Sequence, residues 1–77
     1  MDRPYFYKIR VEGLITEGLS DWFDGLAIRN EPSGETVLAG WIPDQAALFG
    51  VLGKIQALNL PLVSVSRESR AGKGTVV

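Results

Sequence analysis

Seventy-seven residues, 45% apolar and 22% charged with a net charge of −1, give one small domain and exclude a collagen-like or wholly disordered chain. Cysteine and histidine are both absent, which excludes disulfides and thiolate metal sites and removes the usual general base near neutral pH. A chain this short buries only about 60% of the surface its unfolded form exposes, so a very regular core or a partner is expected to complete it.

Tyr5 to Glu12 alternates: Tyr5, Tyr7, Ile9 and Val11 point one way, and Phe6, Lys8, Arg10 and Glu12 the other. Period two predicts a strand with one wet face, on which Phe6 is the exception. Ser20 followed by Asp21 predicts a short helix, with a hydroxyl cap and an acid in its first turn. Trp22, Phe23 and Leu26 anchor it, and Asp24-Gly25 ends it. Leu26 to Asn30 is a short strand, Glu31-Pro32-Ser33-Gly34 a turn, and Glu35 to Ile42 a second strand of the same hairpin. That strand is apolar on both faces: Val37, Ala39 and Trp41 share one, Leu38, Gly40 and Ile42 the other. It therefore belongs at the centre of a sheet or against another chain.

Asp44 is an N-cap for a helix from Gln45 to Leu58, whose Leu48, Val51, Leu52, Ile55 and Leu58 form one apolar stripe. Asn59 suits the left-handed residue that closes a helix, and Pro61 prevents continuation. Leu62 to Ser66 is a last strand, and residues 67–77 read as a flexible tail after a single domain over 1–66.

The order β–α–β–β–α–β predicts an α+β, ferredoxin-like plait, with a four-stranded antiparallel sheet and two helices on one face. Its other face is open, and an apolar open face has to be covered. Phe6, Leu38, Trp41, Ile42 and Leu62 are candidates for that surface, the choice depending on register.

Ala46, Gly50, Gly53 and Ala57 form a second stripe, of small residues, on the long helix. Each helical Gly costs about 1 kcal/mol relative to Ala. Close packing on the protein's own sheet or short helix is one explanation; a groove for a ligand or another chain's helix is the other. The exposure of Phe49, beside the stripe, decides between them. Trp22, Phe23 and Trp41 can line an apolar pocket, although core packing accounts for such residues more often, as cross-strand packing does for Tyr5 and Tyr7. Asp21, Asp24 and Asp44 have jobs at helix ends and supply too few oxygens for a divalent site, so neither metal nor cofactor is expected. Ala71-Gly72-Lys73-Gly74-Thr75 does not make a phosphate loop: Arg67 stands where the pattern needs Gly, and Gly74 where it needs Ser or Thr.

Trp22-Phe23-Asp24-Gly25-Leu26, Gly34-Glu35-Thr36-Val37-Leu38-Ala39-Gly40, Asp44-Gln45-Ala46-Ala47-Leu48 and Leu60-Pro61-Leu62-Val63-Ser64-Val65 together resemble a group of small uncharacterised bacterial proteins. The resemblance spans about residues 5–66 and is most specific at Asp44–Leu48. It implies a shared fold and no established activity. Phe49 stands where that group often has His, and Asn59 where it often has Gly.

The functional expectation is a non-catalytic module that self-associates, as a dimer, with Phe6, Trp22, Leu38, Trp41, Ile42, Phe49, Gly50 and Gly53 as its interface or pocket residues. A small-molecule sensor is the alternative, and a cofactor-free enzyme using Tyr5, Tyr7, Asp21 or Lys54 a more remote one. The small negative net charge argues against nucleic acid. Residues 1–65 carry five basic and eight acidic side chains, and 66–77 three basic and one acidic. No run approaches the roughly 20 apolar residues of a membrane span, and Met1-Asp2-Arg3-Pro4 does not begin a signal peptide, so the expected location is the cytoplasm.

Overall fold

The computed structural model describes residues 4–68 and 74–76. Its centre is β1 (Tyr5–Glu12), whose alternation buries Tyr7, Ile9 and Val11 on one face and leaves Lys8 and Glu12 exposed on the other. The remaining elements are β2 (Ala27–Asn30), β3 (Glu35–Ile42), α1 (Gln45–Ala57), β4 (Leu62–Glu68) and β5 (Gly74–Val76). The sheet order is β2-β3-β1-β4-β5, and every neighbouring pair is antiparallel. β3 and β4 flank β1 and so run parallel to each other, with α1 as their crossover. β1 and β2 are likewise parallel, separated by β3.

Where a first helix was expected, the described residues hold only a 3-10 turn at Glu17–Leu19 and a run of turns to Gly25. The fold is α+β with one helix, not two. The cause is local. Phe23 N–H donates to the Leu19 carbonyl as in an α-helix, but Asp24 N–H then reaches Asp21 and Gly25 N–H reaches Ser20. This is a Schellman closure after a single turn, with Asp24 (φ 61°) in the left-handed conformation and Gly25 (φ 81°) following it. The Ser20 hydroxyl does not cap; it donates to the Leu26 carbonyl at 2.8 Å. The same closure ends α1: Asn59 N–H donates to Gln56 and Leu60 N–H to Ile55, with Asn59 at φ 63°. At its other end Asp44 caps as expected, accepting from Ala47 N–H at 2.8 Å.

α1 lays Leu48, Val51 and Ile55 on the sheet face formed by Tyr7, Ile9, Val11, Ile28, Leu38, Ile42 and Val65, and Ile15, Phe23 and Leu26 complete the cluster. Gly40 is part of this fit. A Cβ there would lie 2.7 Å from Leu26 Cδ2, so the missing side chain lets Leu26 settle on β3. Thr36 is the one buried polar side chain among the described residues. Its hydroxyl accepts from Ile15 N–H (3.2 Å) and lies 2.6 Å from the Gly13 carbonyl and 2.7 Å from Asn30 Oδ1, two acceptors for its one proton.

β4 extends to Glu68, two residues beyond the expected strand, and bulges against β1 between its Ser64 and Leu62 pairings. β5 pairs Gly74, Thr75 and Val76 with Glu68, Arg67 and Ser66, a strand that the sequence reading did not contain. Residues 69–73 and 77, read as tail, lie outside the described residues.

Candidate functional site

Register assigns the two faces of β3, which the sequence left open. Ile9 pairs with Leu38 and Tyr5 with Ile42, so Leu38 and Ile42 sit under α1, fully or almost fully buried. They do not belong to an exposed surface. Phe6 pairs with Trp41 on the opposite, uncovered face. There the rings meet edge to face at 5.7 Å, and Trp41 is 69% exposed.

The rest of the uncovered face is not oily. One cross-strand row reads Arg29, Val37, Arg10 and Ser64, and the next Ala27, Ala39, Lys8 and Ser66. Arg10 Nη1 lies 3.1 Å from Glu35 Oε1 and 3.9 Å from Glu31 Oε1; Arg29 Nε donates to Glu31 Oε2 at 2.9 Å. Lys8 Nζ is 3.2 Å from Glu68 Oε2. Among the described residues, Lys8, Arg10 and Arg29 of this face each meet a carboxylate. Val37 is only 4% exposed although it points away from the helix. Its row neighbours are Arg10 and Arg29, a residue type whose long aliphatic stem can cover apolar surface. The expectation of an apolar sheet face is corrected to an ion-paired face with one aromatic corner.

On the helix the stripe of small residues faces outward. Ala46, Gly50, Gly53 and Ala57 all lie on its exposed side, and Phe49 beside them is 61% exposed. A Cβ added at Gly50 or Gly53 meets nothing within 4 Å, so neither glycine is required by packing among the described residues. Lys54 is the only charged residue of α1. Its ammonium donates to the Trp22 carbonyl at 2.6 Å, lies 3.7 Å from Asp24 Oδ2 and stands 5.7 Å from the centre of the Trp22 ring.

Trp22 is 40% exposed and stacks edge to face on Phe23, which is wholly buried. It flanks α1, whereas Trp41 lies across the sheet, so the structure does not bring the two indoles together around a pocket. Tyr5 lies under the Arg67 guanidinium at 4.2 Å, a cation–π contact that joins the start of β1 to the end of β4. Asp44 and Asp24 stand at the helix and turn ends, and among the described residues no group of three or more His, Cys, Asp or Glu could hold a metal ion. Thr36 escaped sequence reasoning; a hydroxyl among the inward residues of an apolar strand was its only signal.

No curated protein and no solved structure matches the chain. A family model described as a domain of unknown function, DUF8691, matches residues 6–66, from the second residue of β1 through most of β4. The chain belongs to that family.

Proposed function

We propose that this chain is a non-catalytic interaction module that works as a homo-oligomer, most simply a dimer. The observation that carries this reading is apolar surface left uncovered in so small a protein: Leu14, Trp41, Phe49, Leu62 and Val63 are all exposed. Among the described residues, Lys8, Arg10 and Arg29 of the sheet face already lie against carboxylates, which supports a partner other than a nucleic acid. No helix among the described residues is long and apolar enough to cross a membrane, and a cytoplasmic setting suits a chain without cysteine.

We read the architecture as a reduced ferredoxin-like plait. The order β2-β3-β1-β4, with α1 as the β3-to-β4 crossover, supports this, the first helix having contracted to a closed turn. Sedimentation velocity from about 10 μM to about 1 mM tests self-association, since free energies of roughly 4–8 kcal/mol fall in the micromolar-to-millimolar window. A sedimentation coefficient that rises with concentration is expected. A folded 8.4 kDa species throughout overturns the reading.

A further inference from the structure

We propose that the junction of Asp24 and Gly25 is a modification site, at which aspartate converts to isoaspartate through a cyclic imide when the turn from Ser20 to Gly25 opens, and that the closed turn holds this reaction in check. The inference does not depend on self-association.

Asp24 is the only Asp or Asn of the chain that is followed by Gly. Gly presents a main-chain nitrogen with no side chain to screen it. The Asp24 side chain is 64% exposed, and the space where a Cβ of Gly25 would stand is open. In the first step the Gly25 nitrogen bonds to Asp24 Cγ and gives up its proton, and a carboxyl oxygen departs as water. Water then reopens the imide. Attack at Cγ restores aspartate. Attack at the former main-chain carbonyl leaves the chain running through Cγ, with the α-carboxylate as a side group. The water lost in the first step is regained in the second, and nothing else is consumed.

The folded turn opposes the first step. Gly25 N–H donates to the Ser20 carbonyl at 2.8 Å and Asp24 N–H to Asp21 at 3.1 Å. Swinging the Gly25 nitrogen onto Cγ gives up that closure. Three ties keep the turn shut: Phe23 is wholly buried, the Ser20 hydroxyl donates to the Leu26 carbonyl, and Lys54 of α1 reaches both the Trp22 carbonyl and the Asp24 carboxylate. Asp21, Trp22, Asp24 and Gly25 are nevertheless exposed, and a single turn with one buried anchor opens more readily than the sheet. The product keeps the turn from closing again. Isoaspartate lengthens the main chain by one carbon at the residue whose left-handed conformation (φ 61°) completes the closure.

The test incubates the full chain at neutral pH, folded in buffer and unfolded in guanidinium chloride. Isoaspartate at position 24 is read by peptide mapping, as a peptide of unchanged mass with shifted retention and its own electron-transfer fragments. Two variants, each checked for folding by its thermal transition, are followed alongside. Lys54→Met unties α1 from the turn. Val65→Ala thins the core under β4, which pairs with β1 and β5. Conversion is expected to be about tenfold or more slower in buffer than in guanidinium. In buffer, Lys54→Met is expected to quicken it about threefold or more and Val65→Ala to leave it unchanged, whereas in guanidinium all three chains convert alike. Absence of isoaspartate at position 24 in guanidinium overturns the site. Equal rates in buffer and guanidinium overturn the closure as its check. A Val65→Ala chain that converts as fast as Lys54→Met overturns local opening of the turn as the gate.

Discussion

Lys54 Nζ lies 2.6 Å from the Trp22 carbonyl oxygen and so fastens the last turns of α1 to the segment that stands in for the first helix. Close packing of Leu48, Val51 and Ile55 already sets where the helix sits, and this contact adds a polar tie between residues 32 apart in sequence. The same ammonium faces the Trp22 ring and, more distantly, Asp24.

Lys54→Met keeps the aliphatic stem and removes the charge. A loss of about 1 kcal/mol in urea unfolding is expected, the usual size for one net hydrogen bond. Asp24→Asn is expected to change stability by less than about 0.5 kcal/mol, because its 3.7 Å ion pair is largely solvated and Asn also accepts the left-handed conformation. A larger loss in Asp24→Asn than in Lys54→Met contradicts this ranking.

Thr36→Val keeps the shape of the side chain and deletes the hydroxyl. Ile15 N–H then loses its acceptor, and the one proton shared between the Gly13 carbonyl and Asn30 Oδ1 is gone. The expected cost is about 2–3 kcal/mol, the penalty for stranded buried polar groups. Thr36→Ser keeps the hydroxyl and gives up one methyl, for about 1 kcal/mol. Denaturant midpoints of the two variants are the check, with Val the more damaging.

Gly40→Ala places a Cβ 2.7 Å from Leu26 Cδ2. Overpacking of this kind costs about 1–3 kcal/mol. Leu26→Ala is itself destabilising, but adding Gly40→Ala to it is expected to cost little more, because the clashing methyl is gone. A double-mutant cycle reads this coupling directly. Strict additivity contradicts the contact.

Gly25→Ala and Gly53→Ala are the same chemical change in equally open surroundings, since an added Cβ meets nothing at either position. Gly25 has φ 81°, so Ala there is strained and the expected loss is about 1–2 kcal/mol. Gly53 is helical, so Ala is expected to gain about 1 kcal/mol in the monomer. Thermal melts at low protein concentration compare the two, and opposite signs are the expected outcome.

The strands and the long helix were legible because each carries its own pattern. Alternation marked β1, a four-residue turn marked the hairpin, and Asp44 with Leu48, Val51 and Ile55 marked α1. The first helix was misread because Ser20-Asp21 is also compatible with one closed turn, and Asp24-Gly25 follows too soon for a second. β3 is apolar on both sides, so alternation could not choose between its faces. Cross-strand register does, by setting Trp41 opposite Phe6, the one aromatic on the wet side of β1. Residues beyond Ser66 lack period, and their strands depend on pairing with β1 and with each other. Of the candidate surface residues, Phe6, Trp22, Trp41, Phe49, Gly50 and Gly53 retain some access to solvent, while Leu38 and Ile42 went to the core.

β1 precedes both strands that enclose it. Tyr5 waits for Ile42 and Phe6 for Glu68, separations that cover most of the chain. Loop closure over such spans slows the search for native pairings. On a ribosome, β1 would emerge well before β4 is available to join it, and its central place in the sheet would stay incomplete through most of synthesis.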